Sequence, residues 1–272
     1  MPHRTRPLPF VPLVTLLVVF AVVSSGCAST RASRDSATPA VPTPPPMADE
    51  TTDGAGTGDA CDMIRATHWS RNSAEHKAAF LQTYTLATVA LEAQVPTFEP
   101  ERWAVALDAD ETILDNSEYQ KEREAECKGY TSGSWRAWVL RREAKALPGA
   151  QAFLRRVDEL GGVIAVVTNR DEAECPATMD NFRALDLPFD LMLCQTGPGE
   201  KEPRWETIQK GTASPEYPPL KIVMWMGDNI GDFPDLDQSV REKGAEAFEP
   251  FGTRYFVVPN PMYGSWQRNP KE

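Results

Sequence analysis

Basic residues are scarce in this chain: 28 Lys and Arg stand against 39 Asp and Glu, for a net charge of −11. That balance gives no long basic groove to track a phosphate backbone, so no nucleic-acid polymer is expected as a partner. Histidine is scarcer still. The three histidines, His3, His68 and His76, all lie early in the chain, which leaves none downstream to serve as a catalytic base. Cysteine occurs at 27, 61, 127, 175 and 194, with no CxxC and no Cys/His cluster, so a structural zinc site is not expected. Long apolar runs are also missing. The longest, Leu8 to Val23, is interrupted by Pro9 and Pro12 and falls short of the roughly 20 residues of a membrane span.

That run has a different meaning. Arg4 and Arg6 precede it, and it ends in the small residues of "SSGC", which together make an export signal over residues 1–26. A cysteine directly after Ser-Gly resembles the bacterial lipoprotein signal, in which Cys27 would be lipidated and become the new N-terminus, although Ser24 stands where that signal usually has Leu or Val. Losing Arg4 and Arg6 would take the charge from −11 to −13. Residues 27–60 are rich in Ser, Thr, Ala, Pro, Gly and Asp and contain "TPAVPTPPP". Such a stretch has too little apolar surface to offset its ordering entropy and reads as a disordered tether. Contact with the membrane is therefore expected through the N-terminal lipid. Ala28, rather than Asp, after the lipidated cysteine favours the outer membrane. If Cys27 carries lipid, four cysteines remain for an exported protein, and three pairings are open to them. Cys175 and Cys194 flank one predicted helix–strand unit, which favours a bridge between them.

The globular domain is expected over residues 61–272. Ala78, Ala79, Leu81, Leu86, Val89 and Leu91 recur at mixed three- and four-residue spacings and predict a helix over 72–95, ending before Pro96. Three apolar runs then break abruptly into polar chemistry: "WAVALDAD", "GGVIAVVTNR" and "KIVMWMGDN". Shorter candidate strands are "FDLMLC" (189–194) and "YFVVPN" (255–260), and helical stretches separate the runs at 149–160 and 173–185. Val- and Ile-rich runs spaced by helices indicate buried parallel strands in an α/β fold. Ligands of such sheets bind at the carboxyl ends of the strands. The residues placed there are Asp108 and Asp110, Thr168 and Asn169, and Asp228.

Two carboxylates two residues apart, Asp108 and Asp110, repel each other unless a cation or a proton separates them. Mg²⁺, a hard ion suited to carboxylates, water and a substrate phosphate, would supply that cation. One Asp could then attack phosphorus while the other protonates the leaving oxygen and later activates water. Asp228 and Asp232 in "GDNIGDF" could complete the metal shell. The Thr168 hydroxyl and neighbouring backbone amides could bind a phosphoryl oxygen. Lys201, 27 residues before Asp228, would offset carboxylate charge and hold phosphate as a point charge.

The order DxDET, an apolar strand ending in Thr, then Lys, then GDxxxD resembles the haloacid dehalogenase superfamily of phosphohydrolases. More narrowly, "LDADETILDNS", "VTNR", "MGDNIGDF" and "VVPNPMYGSW" resemble the class C acid phosphatases, which are bacterial surface lipoproteins, some of them 5′-nucleotidases. The likeness spans roughly residues 70–268. It implies a Rossmann-like parallel sheet flanked by helices, with a small helical cap at about 115–147, where "SWRAWVLRREAKALPG" reads as a helix. It also implies Asp108 as the phosphoryl-accepting nucleophile and Asp110 as general acid/base. Thr168, Asn169 and Lys201 would hold the phosphoryl group. Mg²⁺ would be bound by Asp108, the main-chain carbonyl of Asp110, and Asp228, with Asp232 in support. Tyr263 and Trp266 match the family's ending and are candidates to stack on a nucleoside base, with Trp135 or Trp138 on the cap. The expected substrate is a small phosphomonoester, nucleoside 5′-monophosphates included. A phosphotransferase using the same intermediate and a non-catalytic surface-binding lipoprotein are the alternatives. The oligomeric state is open, a dimer included.

Overall fold

The computed structural model describes residues 63–271. The expected export signal, the Cys27 anchor, the tether and Cys61 lie outside the described residues.

Two helices lead in, α1 (Arg65–Asn72) and α2 (Ala74–Gln94). Instead of one helix over 72–95, the chain breaks at Ser73, whose extended backbone and hydroxyl cap α2 by accepting the His76 N–H at 3.0 Å. The buried face of α2 also differs from the expected stripe. It carries Phe80, Tyr84, Ala87 and Leu91, while Leu81, Leu86 and Val89 are exposed. Tyr84 can be buried because its hydroxyl donates to the Thr112 carbonyl at 2.7 Å, satisfying the polar tip of a large apolar ring.

The rest of the chain runs β1 (Trp103–Leu107), β2 (Leu114–Asp115), α3 (Ser117–Ala125), α4 (Ser132–Arg141), β3 (Lys145–Ala146), α5 (Ala150–Glu159), β4 (Val163–Asp171), α6 (Cys175–Ala184), β5 (Leu191–Gln195), α7 (Glu202–Lys210), β6 (Lys221–Gly227) and β7 (Tyr255–Val257). Five strands form one sheet in the order β5-β4-β1-β6-β7, and every neighbouring pair is parallel. Alternate residues of β1 feed two cores. Val105 and Leu107 join Phe80, Leu91 and Phe153 on one face, whereas Ala104 and Ala106 join Trp205, Ile208 and Trp225 on the other. With helices over both faces, β1 is buried throughout, as are β4 from Val163 to Thr168 and β6 from Ile222 to Gly227, which is why all three read as continuous apolar runs.

Between β1 and α5 the short strands β2 and β3 pair antiparallel and bracket α3 and α4, in the region expected to form the cap. Helix α4 opens on a capping box in which the Thr131 and Ser134 side chains and backbones satisfy each other. It is shorter than expected. Arg142 turns left-handed at φ 57°, and the chain then pairs into β3 rather than continuing as helix to Gly149.

The bridge favoured between Cys175 and Cys194 is present and ties the start of α6 to β5. Cys127 is also disulfide-bonded. The Cys175–Cys194 bridge closes a loop of sequence separation 19, which in the chain-entropy treatment contributes about 3 kcal/mol. Replacing both cysteines by Ser is therefore expected to lower Tm by about 6–12 °C in a scanning calorimeter, given about 2–4 °C per kcal/mol for a domain of this size.

Candidate active site

The carboxyl ends of β1 and β6 lie side by side, with Leu107 opposite Met226, and each strand continues directly into an aspartate. Asp108 follows β1, its backbone N–H donating to the Met226 carbonyl at 2.9 Å, and Asp228 follows β6. Asp232 joins them from the 3₁₀ turn Ile230–Asp232, where its Oδ2 accepts the Asn229 N–H at 2.9 Å. Gly227 makes this approach possible, since a Cβ there would collide with the Asp232 side chain. Carboxylate oxygens of Asp108, Asp228 and Asp232 all lie within 4.8 Å of one another.

Lys201 enters from the other side. It is the N-cap residue of α7, the helix start expected for it, and is only 3% exposed. Its ammonium ion-pairs with Asp108 and, at 2.6 Å, with Asp232. Burial alone would lower the Lys201 pKa, but the two carboxylates outweigh it and hold the group above its ordinary value. Burial pushes Asp108 up to about 7, against the pull of Lys201 and with further push from Asp232 and Asp110. Burial likewise raises Asp228, helped by Asp232 and Asp108, although Asn260 Nδ2 donates to its Oδ2 at 2.8 Å. Three carboxylates thus share one ammonium. The charge left over is that of a divalent cation, and an all-oxygen donor set suits a hard ion such as Mg²⁺.

Asp110, expected to offer a metal only its main-chain carbonyl, has side-chain partners of its own. Its carboxylate is not one of the three in this cluster and accepts Arg170 Nη2 at 2.7 Å, Arg170 Nε at 3.0 Å and Asn116 Nδ2 at 2.8 Å, all at Oδ1. That agrees with a ligand role for its main-chain carbonyl rather than its side chain. Thr168, Asn169 and Arg170 are likewise not past a strand end, because β4 runs to Asp171. They occupy the stretch where the β4–β5 register breaks, between Val167 and Asp171, one strand over from Asp108. Thr168 is fully buried, and its Oγ1 accepts the Arg170 N–H at 3.1 Å, which leaves the hydroxyl proton to donate. Arg204 of α7 anchors this stretch by donating to the Thr168 carbonyl and to Asn169 Oδ1, both at 2.5 Å.

The candidate aromatic residues fall into two groups, one on the cap and one in the C-terminal segment. A cavity of about 620 Å³ opens between the cap and the ends of β4 and β5, lined among others by Tyr130, Trp135, Arg136, Asn169 and Glu174. Its wall is linked to Asp110 through Arg170, whose guanidinium lies 5.5 Å from the Trp135 ring centre and donates to Asp110 Oδ1. Tyr263 and Trp266 do not line it. They sit in the C-terminal segment, which is fastened beside Asp228 by Asn260 and by a 2.7 Å contact from Ser265 Oγ to Asn229 Oδ1. The buried Tyr263 hydroxyl has no partner among the described residues, and Trp266 is 42% exposed. Trp138 is spent elsewhere, donating Nε1–H to Asn116 Oδ1 at 2.8 Å. Sequence reasoning missed Asn116, Arg204 and Asn260, and gave Arg170 no role. Their only signals are single polar residues beside the motifs.

The profile of the HAD superfamily, subfamily IIIB (acid phosphatase), matches residues 55–266. Two solved structures are similar. The class C acid phosphatase from Bacillus anthracis is 31% identical, over 74% of this chain and 85% of that one, with a TM-score of 0.68. The same enzyme with tungstate bound is 30% identical over the same shares, with a TM-score of 0.67.

Proposed function

The chain belongs to the acid phosphatase family of the HAD superfamily, subfamily IIIB, and from that premise, which makes it a phosphoric monoester hydrolase, we propose a Mg²⁺-dependent reaction through an aspartyl-phosphate on Asp108. The observation that carries this reading is Asp108 itself, buried at the end of β1, paired with Lys201 and clustered with Asp228 and Asp232. An Asp108 oxygen attacks phosphorus as the bond from phosphorus to the ester oxygen breaks, and Asp110 gives that oxygen its proton. Asp110 then takes a proton from the water that attacks the aspartyl-phosphate, releasing inorganic phosphate and restoring the Asp108 carboxylate. Lys201 and the Thr168 hydroxyl hold the phosphoryl oxygens, and the Asn169 region with its Arg204 anchor keeps that cradle in place. Asp108, Asp228 and Asp232 would hold the ion, with the Asp110 carbonyl, and when bound it would neutralise the carboxylates and the incoming phosphate. Tungstate, the oxyanion bound in the Bacillus anthracis enzyme, is a tetrahedral mimic of phosphate.

The substrate's organic part is assigned to the cavity by the cap, where Trp135 and Tyr130 offer flat faces to a ring. Nucleoside 5′-monophosphates fit that wall, with Tyr263 a second face approached from the side of Asp228. The test is phosphate release from AMP and p-nitrophenyl phosphate. Activity with Mg²⁺ and its loss in EDTA support the reading; undiminished activity in EDTA removes the metal from it. We place this activity at the cell envelope, anchored through Cys27, and expect Cys27→Ser to move the protein from the membrane fraction to the soluble one.

Metal binding and proton binding compete at Asp108, and the sign follows from its raised pKa. Between about pH 4, where an unfolded Asp titrates, and about pH 7, the folded protein binds the extra proton, so metal-free stability falls as pH rises through that window. A cation replaces those protons. The gain in Tm on adding Mg²⁺ to EDTA-treated protein is therefore expected to be larger at about pH 7.5 than at about pH 5, as measured by differential scanning fluorimetry. An equal or smaller gain at the higher pH contradicts it.

A further inference from the structure

Arg170 is one of the largest fully buried side chains in the molecule, its side chain only 1% exposed. An arginine is buried only when its donors are met, and the way these are met is specific. Nη1 donates to Thr178 Oγ1 at 3.1 Å, Nη2 to Asp110 Oδ1 and to Asn116 Oδ1 at 3.2 Å, and the guanidinium lies 5.5 Å from the Trp135 ring centre. Asn116, fully buried, repeats the pattern from the other side. Its Nδ2 donates to Asp110 Oδ1, while its Oδ1 accepts from both Arg170 and Trp138 Nε1. Its backbone N–H is held at 2.8 Å by the buried Glu111 carboxylate.

The two oxygens of Asp110 are therefore unequal. Among the described residues, Oδ1 takes three N–H contacts between 2.7 and 3.0 Å, whereas Oδ2 has a single long one, Arg170 Nε at 3.2 Å. A free carboxylate turns easily about its terminal torsion and can present either oxygen. This one cannot turn without breaking the Oδ1 contacts.

We infer that Arg170, Asn116 and the cap residue Trp138 are positioning residues for Asp110, fixing Oδ1 in the frame and leaving Oδ2 as the oxygen that meets the leaving group. The inference rests on the general acid/base reading of Asp110. It also gives the cap a second role, because Trp138 belongs to α4 and the frame closes only when the cap is docked on the sheet. In the step concerned, the proton on Oδ2 passes to the ester oxygen as its bond to phosphorus breaks, and Asp110 is left as the carboxylate that Arg170 and Asn116 hold.

Leaving-group dependence separates this role from a merely structural one. An alkoxide needs the proton to depart; p-nitrophenoxide hardly does. With Mg²⁺ present, kcat/KM, which reports this first step, is compared for glycerol 2-phosphate and p-nitrophenyl phosphate. Arg170→Lys keeps the charge and loses the fork, and is expected to lower the glycerol 2-phosphate value about 100-fold and the p-nitrophenyl value less than about 5-fold. Trp138→Phe removes the Nε1–H donor together with part of a buried ring, and because lost packing would lower both substrates alike, the expected sign of the lost donor is a selective fall, about 5- to 10-fold on the alkyl ester. Equal losses on both substrates, or none on either, overturn the inference. If Arg170→Lys does not fold, Trp138→Phe decides alone. Asp110→Asn is the reference. If it spares glycerol 2-phosphate, the acid/base reading falls on its own account, whereas selectivity in Asp110→Asn without it in the other two variants overturns the positioning frame alone.

Discussion

Asp108→Asn is expected to lower kcat on any phosphomonoester by about 10⁴-fold or more, because it removes the attacking oxygen rather than one of several stabilising contacts. The exchange is close to isosteric, and the surroundings indicate what it does to the fold. Asp108 is one of three carboxylates around one ammonium, and burial works against its charge. A neutral amide relieves that crowding, while Lys201 keeps its 2.6 Å pair with Asp232. Above about pH 7, then, the metal-free variant is expected to unfold at a higher temperature than the parent, the trade of stability for activity found at many catalytic sites. Steady-state kinetics and a thermal melt in EDTA check the two halves. A folded variant with near-parental kcat would remove Asp108 from the chemistry.

Lys201→Met carries the second largest effect. The ammonium is buried between Asp108 and Asp232, and removing one partner of such a group leaves uncompensated buried charge, at a cost of about 3–5 kcal/mol. In EDTA near neutral pH a large drop in Tm is therefore expected. Mg²⁺ should restore more of that loss than it adds to the parent, since the ion then faces three carboxylates with no protein cation among them. Catalysis is not restored, because Lys201 also holds the phosphoryl oxygens, and kcat is expected to stay about 10²- to 10³-fold down at saturating metal. Full recovery of kcat at high Mg²⁺ would reduce Lys201 to a structural counter-ion.

How much of this was legible in the sequence depends on what kind of interaction each feature rests on. The strands β1, β4 and β6 were readable because both faces of a central parallel strand are buried, so burial leaves an unbroken apolar run. Asp108 and Asp228 were readable because each run ends abruptly in acid. The burial face of α2 was not. Three of its aliphatic residues are exposed, while Tyr84 goes inside by means of a hydrogen bond to Thr112, and a count of apolar spacing cannot register a partner 28 residues away. The same holds more strongly in the site. Lys201 meets Asp108 across 93 residues and Arg170 meets Asp110 across 60. The first pairing was reached only through the order of motifs that the chain shares with a family. The second left no periodicity, only one arginine after "VTN". The aromatic residues were legible in part: Trp135, expected on the cap, lines the cavity there, whereas its neighbour Tyr130 stands in no motif, and its placement depends on how α4 docks.

The central claim is that Asp108 itself carries the phosphoryl group, and chemical trapping tests it most directly. Protein turning over p-nitrophenyl phosphate with Mg²⁺ is quenched in acid, digested and analysed by mass spectrometry. The mass of one phosphoryl group is expected on the peptide that contains Asp108, labile to hydroxylamine and absent from Asp108→Asn. Phosphate release at full rate with no label on that peptide, or with the label on another residue, would contradict the account.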